Sequence, residues 1–222
     1  MKFDIVYFLK AFPDLIRYVH YTISMSVIST IIGFVIASGL VALKLMHIKI
    51  LTKIINVYIS FFRGTPLLVQ LFIFYYGVPQ LISPLKNISP FQAMLVGLSL
   101  CGSAYMAEII RGAIESVPKG QMEAALSIGM TPMQAFKRII YPQAIRIAIP
   151  GIGNEFVDLL KSSSLAFVLG LTEILARAQM DAASSFKVLE SYLALAITYW
   201  ILVEIFNFLQ RLIEKKLAKA YK

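Results

Sequence analysis

Six polar side chains cluster inside an otherwise apolar run: Asn154, Glu155, Asp158, Lys161, Ser162 and Ser163. Glu155 and Asp158 can accept hydrogen bonds from an ammonium group. Asn154, Lys161, Ser162 and Ser163 can donate to a carboxylate. A zwitterionic solute needs both kinds of partner. At about 100° per residue, Lys161, Asn154, Asp158, Gly151, Ser162 and Glu155 fall within an arc of roughly 120° on one helix. Ile152, Phe156, Leu159, Leu160 and Phe167 are expected on the other side. Ionisable groups at membrane depth are costly and normally face a cavity or a partner. Mutual neutralisation of Asp158 and Lys161 is the structural alternative, and it still leaves Glu155 and Asn154 unaccounted for. Gln70 adds an amide donor from another apolar run. Tyr105, Glu108 and Arg111 recur at three-residue steps and so lie near one helix face. Glu108 and Arg111 can equally serve only to neutralise each other.

A second constellation occupies residues 118–142, a polar stretch between apolar runs. Glu123, Ala124 and Ala125 open a short helix that Gly129 can end in the left-handed conformation. Thr131 can cap a second helix, with Gln134 completing a capping box and Pro132 in the first turn. Lys137 and Arg138 are expected near its far end, where the helix dipole favours cations. Pro142 then breaks that helix or begins the next. The product is a helix–turn–helix elbow. Its apolar residues Ala125, Leu126, Ile128 and Phe136 are available to enter a partner's groove.

These residues must be positioned by apolar helices. Of the 222 residues 59% are hydrophobic and only 15% charged, with mean hydropathy +0.77. That composition is an all-α integral membrane protein, with no large soluble domain. A span needs about 20 mostly apolar residues. Five are expected, near 21–45, 54–79, 91–114, 143–170 and 192–212, in a single transmembrane domain covering 1–222. Pro66 should kink or restart the second span. Pro150, Gly151 and Gly153 should break the fourth. Residues 1–19 read as an interfacial helix interrupted by Pro13, and 171–190 as an outer segment with room for a short helix.

The net charge of +9 sits at the ends of apolar runs, which argues for a topology signal and against nucleic acid. The 44–53 loop, the elbow and the tail of Arg211, Lys215, Lys216, Lys219 and Lys222 share one side and hold most of the basic residues. The positive-inside rule puts that side in the cytoplasm and the N-terminus outside. Cys101 lies alone in an apolar run and reads as a small buried residue. His20 and His47 have no second ligand nearby, so no metal centre or enzymatic His cluster is expected. The N-terminus lacks the pattern of a cleaved signal peptide.

Four motifs carry a resemblance to a known family. Glu123-Ala124-Ala125, three residues, Gly129, nine residues, Ile139 and then Pro142 resemble the EAA loop of type I ABC-importer permeases, with Tyr141 where Leu is more usual. RGTPLLVQLF at 63–72, SAYMAEIIRGAI at 103–114 and GNEFVDLLKSSSLA at 153–166 are similar to the polar amino-acid branch. The resemblance runs from about residue 15 to 215. It implies five spans per subunit, a second permease copy or homologue, a cytoplasmic ABC ATPase dimer and an external solute-binding protein, all at a bacterial cell membrane. It also implies that Glu123, Ala124, Ala125, Gly129 and Phe136 form the ATPase-coupling surface. Gln70, Tyr105 and the 154–163 cluster would then be the substrate-binding candidates.

The sequence has no GxxxxGK[ST] phosphate loop, so ATP and Mg belong to the partner and this chain needs no cofactor. An acidic stripe suits arginine, histidine or lysine, and its other polar groups suit cystine or glutamine. Two rival readings remain. One is a secondary transporter in which Glu108, Glu155 and Asp158 relay protons or ions. The other is a membrane-embedded enzyme. Five spans without a visible repeat weigh against the first.

Overall fold

Two long helices, α2 (Val19–Lys44) and α6 (Pro90–Glu115), run parallel through the centre of the computed structural model, which describes residues 3–219. At their starts the rings of Tyr21 and Phe91 meet edge to face, 6.4 Å apart. At their other ends Lys44 Nζ lies 3.9 Å from Glu108. Small residues make this contact close: Ser26, Ser29, Gly33 and Ala37 on α2 are all buried, as are Ser99 and Ser103 on α6, whose backbone Gly33 faces. Ser89 opens α6 with a capping box to Gln92.

The second expected span is split. α3 (Lys49–Gly64) ends at Gly64, and α4 (Leu67–Phe72) restarts after Pro66. A π-turn over Ile73–Gly77 carries it into α5 (Val78–Leu81). The two halves are bent by 108°. Pro66 has no N–H and biases Thr65 to extended backbone, which ends α3 there.

The fourth span departs from expectation. α9 (Tyr141–Ser162) runs unbroken through Pro150, Gly151 and Gly153. The two glycines are contact points instead. Ile109 of α6 fills the space a Cβ at 151 would take, and the Gln210 amide fills that at 153. A 3₁₀ stretch over Ser163–Leu169 closes the segment at Gly170. α10 (Ile174–Ser185) follows, a short helix within the 171–190 segment, and α11 (Val188–Lys219) is the last long one. Of the expected basic tail, Lys222 lies outside the described residues. α11 leans on α9 through a stacked Phe156–Phe206 pair, 4.1 Å between centroids.

The N-terminal helix α1 (Ile5–Ile16) also differs from the reading above: Pro13 sits inside it and does not interrupt it. Burial of Ala11 and Leu15 against Ile174, Ala178, Ala194 and Leu195 offsets the missing hydrogen bond. So α1, α10 and α11 share a small core of their own. The main core lies between α2, α3, α6 and α9.

Among the described residues three helices are long and apolar enough to cross a membrane, or up to five if each bent pair counts as one span. There is no strand among them.

Candidate functional site

The break between α3 and α4 is held by Gln70. Its amide donates to the Phe62 carbonyl (3.0 Å), the Thr65 carbonyl (3.1 Å) and the Thr65 hydroxyl (2.9 Å). The side chain is 1% exposed. A helix interrupted in mid-span leaves carbonyls without donors, and this amide supplies them. Gln70 was expected to donate to a solute; in this geometry its donors are spent on Phe62 and Thr65. The Cys101 thiol also points at the Phe62 carbonyl, 3.8 Å away, and is buried as expected. That contact sets the break beside the midpoint of α6.

Next to the break, Arg63 lies over the Tyr105 ring, 5.3 Å from its centroid. The Arg63 guanidinium also reaches Glu108, at 4.0 Å. Glu108 receives Arg111 at 2.8 Å and Lys44 at 3.9 Å. One carboxylate thus ties the ends of α2 and α3 to α6. The sequence pointed to the Glu108–Arg111 pair but had no signal for Lys44 or Arg63, which lie on other helices.

The polar stripe of α9 is split by its neighbours. Asn154, Asp158 and Lys161 are exposed, and Asp158 and Lys161 form an ion pair at 2.6 Å. Glu155 turns inward and is 8% exposed. Its Oε1 lies 3.5 Å from where a Cβ on Gly102 would be, so the missing side chain at 102 makes room for it. Leu159 was expected opposite the stripe. It is buried beside Glu155 against the same glycine, because residues four apart share a helix face. Ser162 is half-buried. Ser163 is buried and donates back to the Leu160 carbonyl at 2.8 Å. The structure therefore brings Glu155 and Leu159 to Gly102 at the α6–α9 contact and leaves Asn154, Asp158 and Lys161 on an open face.

At the elbow, α7 (Lys119–Ser127) begins four residues before Glu123. Gly129 takes the left-handed conformation, φ +85°. Thr131 caps α8 (Pro132–Ala135) by both bonds of a capping box with Gln134, 3.0 and 3.3 Å. The second half of the elbow is not a separate helix. A π-turn over Phe136–Ile140 carries α8 straight into α9, with Pro142 in the first turn of α9. Lys137 and Arg138 thus do not sit at a helix end. The wider turn leaves room for a residue that cannot donate. Glu123 and Ala124 are exposed, with Leu126, Ile128 and Met133 at 42%, 76% and 62%. Ala125 is buried. Phe136 packs inward with Val117, Ile140 and Ala144. Those two were expected on the partner-facing surface and are part of the elbow's own core.

Two further clusters escaped the sequence reading. Glu173 is fully buried, caps α10 by accepting from Ala176 N (2.9 Å), and accepts from the Tyr199 hydroxyl (3.0 Å). Asp4 pairs with Lys187 and caps α1, while its backbone N–H donates to Glu190. No group of three metal-binding side chains occurs among the described residues.

The sequence profile of the family described as "binding-protein-dependent transport system inner membrane component" matches residues 29–219. The chain is 46% identical to the probable amino-acid ABC transporter permease protein PatM of Vibrio harveyi, covering 100% of this chain and 99% of that one. It is 41% identical to the L-cystine transport system permease protein TcyL of Bacillus subtilis, covering 93% and 88%. Among solved structures it is similar to an amino acid ABC transporter crystallised with histidines: TM-score 0.90 at 34% identity, over 97% of this chain and 100% of that one.

Proposed function

The chain belongs to the binding-protein-dependent transport system inner membrane components, and on that premise we propose that it is the transmembrane subunit of an ATP-driven amino-acid importer. The observation that carries the mechanism is the continuity of the elbow with α9. From Pro132 through Leu169 the chain is one helical rod. Glu155 lies on that rod, and the exposed Leu126, Ile128 and Met133 lie at its foot. A push on the elbow is carried along this continuous helical segment to the α9 face that holds Glu155.

In this reading a cytoplasmic ATPase dimer grips the elbow, with Glu123, Ala124 and the turn at Gly129 as the coupling surface. ATP and Mg act on that partner. The positive-inside argument puts the elbow and C-terminus in the cytoplasm and the N-terminus outside. A second permease copy or homologue completes the pathway, and an external solute-binding protein delivers the solute. The names of relatives support the substrate class: permeases for L-cystine and for arginine are 41% and 35% identical. Glu155 then faces the solute's ammonium group as it passes, with the open Asn154, Asp158 and Lys161 face beside it. Proton-coupled transport, the rival reading, finds no support among the relatives.

The deciding experiment is co-purification followed by reconstitution. The chain should bring down an ABC ATPase, and vesicles holding both should take up an amino acid only with ATP and the binding protein. Uptake by the chain alone, without nucleotide, overturns the reading.

A further inference from the structure

An apolar slot opens between α2, α6 and α9 at the elbow end of the membrane region. It is a cavity of about 140 Å³ whose walls include Phe34, Val41, Ile114, Ile145 and Ile152. A wider groove of about 610 Å³ continues from it, lined also by His47 and Lys137. Ala42, Leu45, Phe136 and Tyr141 line both. We propose that this slot seats one acyl chain of an anionic phospholipid from the elbow-side leaflet, with the phosphate at Lys137.

Length argues for a lipid tail. The slot follows α2 from Phe34 to Leu45 and α9 from Tyr141 to Ile152. Each stretch advances eleven residues (45 − 34 and 152 − 141), or about 16 Å at 1.5 Å per residue. One leaflet of a ~30 Å hydrocarbon core is about 15 Å deep. The slot therefore spans the depth of about one leaflet, and the wider groove takes over at its elbow end. A volume of about 140 Å³ is too small for a partner helix, which is about 10–12 Å across with its side chains. A peptide would also need backbone partners, and the walls are apolar apart from Ser38 and Tyr141.

Charge argues for an anionic headgroup. Lys137 is exposed, and no ion pair or hydrogen bond engages it among the described residues. Of the acids near this end, Glu108 and Glu115 both hold Arg111, Lys44 leans on Glu108, and Glu123 lies exposed on α7 outside the groove lining. The groove mouth therefore presents a cation, an imidazole and a phenol hydroxyl with no carboxylate among its lining residues. Such basic mouths between membrane helices suit phosphate headgroups.

The test is native mass spectrometry of the detergent-purified chain with its co-purifying ATPase. It is titrated in parallel with dioleoyl phosphatidylglycerol and dioleoyl phosphatidylcholine. The expected result is one phosphatidylglycerol retained per chain with about fivefold preference, the size of one lysine–headgroup interaction. Lys137→Gln should erase the preference while leaving weak binding of both lipids. Ala42→Trp, at an exposed position on the shared wall, should cut retention of both. Equal retention of the two lipids by the unaltered chain overturns the proposal. So does full retention by Ala42→Trp, or an unchanged preference in Lys137→Gln.

Discussion

Gly33 meets the backbone of the neighbouring helix at Ser99: a Cβ at 33 would lie 3.2 Å from the Ser99 carbonyl oxygen and 3.4 Å from Ser103 N. Both obstacles are main chain, so no side chain can swing aside. Gly39, further along α2, has nothing within 4 Å of its would-be Cβ. Gly33→Ala should push α2 off α6 and cost about 1–3 kcal/mol. Gly39→Ala should be neutral or slightly stabilising, since Ala is the better helix former. Thermal unfolding of the detergent-solubilised chain compares the two. Equal midpoints would mean that α2 and α6 are not in backbone contact at Gly33.

Gln70 separates a structural role from a solute-binding one. Gln70→Leu keeps the bulk and removes the donors that serve Phe62 and Thr65. Each buried carbonyl left unpaired costs about 1–3 kcal/mol. The variant should unfold earlier and move substrates with an unaltered order of preference. A variant as stable as the parent, but with that order changed, would return Gln70 to the solute's contacts.

The clasp between Asp4 and Lys187 gives a pH dependence outside the membrane. The Lys187 ammonium, with the Tyr7 N–H, holds the Asp4 carboxyl below the usual carboxylate range. A carboxyl depressed in the folded state contributes stability above its unfolded pKa of about 3.9 and loses it as pH falls through the folded value. Hydrogen exchange in α1 should therefore accelerate below about pH 4. Asp4→Asn still caps α1 but should show no such step, and high salt should flatten it in the parent. A step that survives in Asp4→Asn would assign it to another group.

Caps and turns were legible because their signals are local. Thr131, Pro132 and Gln134 lie within one turn of each other, and Gly129 precedes them at the only position that needs a left-handed residue in that loop. The continuity of α9 was not. Pro150, Gly151 and Gly153 read locally as breakers, yet what Gly151 and Gly153 do is decided by Ile109 and Gln210, on helices distant in sequence. The stripe on α9 has the same limit. Helical angles group Glu155 with Asn154 and Asp158, but Gly102 on α6 decides which of them turns inward. Asp4 and Lys187, 183 residues apart, had no local pattern at all.

Gly129 tests the elbow. Its φ of +85° strains any L side chain, although a Cβ there would meet nothing within 4 Å. The cost is thus conformational, about 1–2 kcal/mol for an ordinary residue and less for Asn. Gly129→Val should weaken coupling of ATP hydrolysis to uptake, Gly129→Asn much less, with both variants still reaching the membrane. Full coupling in Gly129→Val would remove the turn from the mechanism.

Glu155 is the side chain on which the transport reading is most exposed to test. It is buried at the α6–α9 contact, and no hydrogen bond engages its carboxylate among the described residues. Asp158, one turn away, is exposed and already paired with Lys161. If Glu155 meets the ammonium group of the passing solute, Glu155→Gln keeps the shape and loses a charged hydrogen bond worth about 1.5–3 kcal/mol. Uptake should then fall roughly ten- to a hundredfold. Asp158→Asn should fall less, because its charge is already answered within α9. ATPase co-purification should be the same for both variants, since neither residue touches the elbow. Loss of co-purification in Glu155→Gln would make this a packing residue, and undiminished uptake would take it out of the pathway.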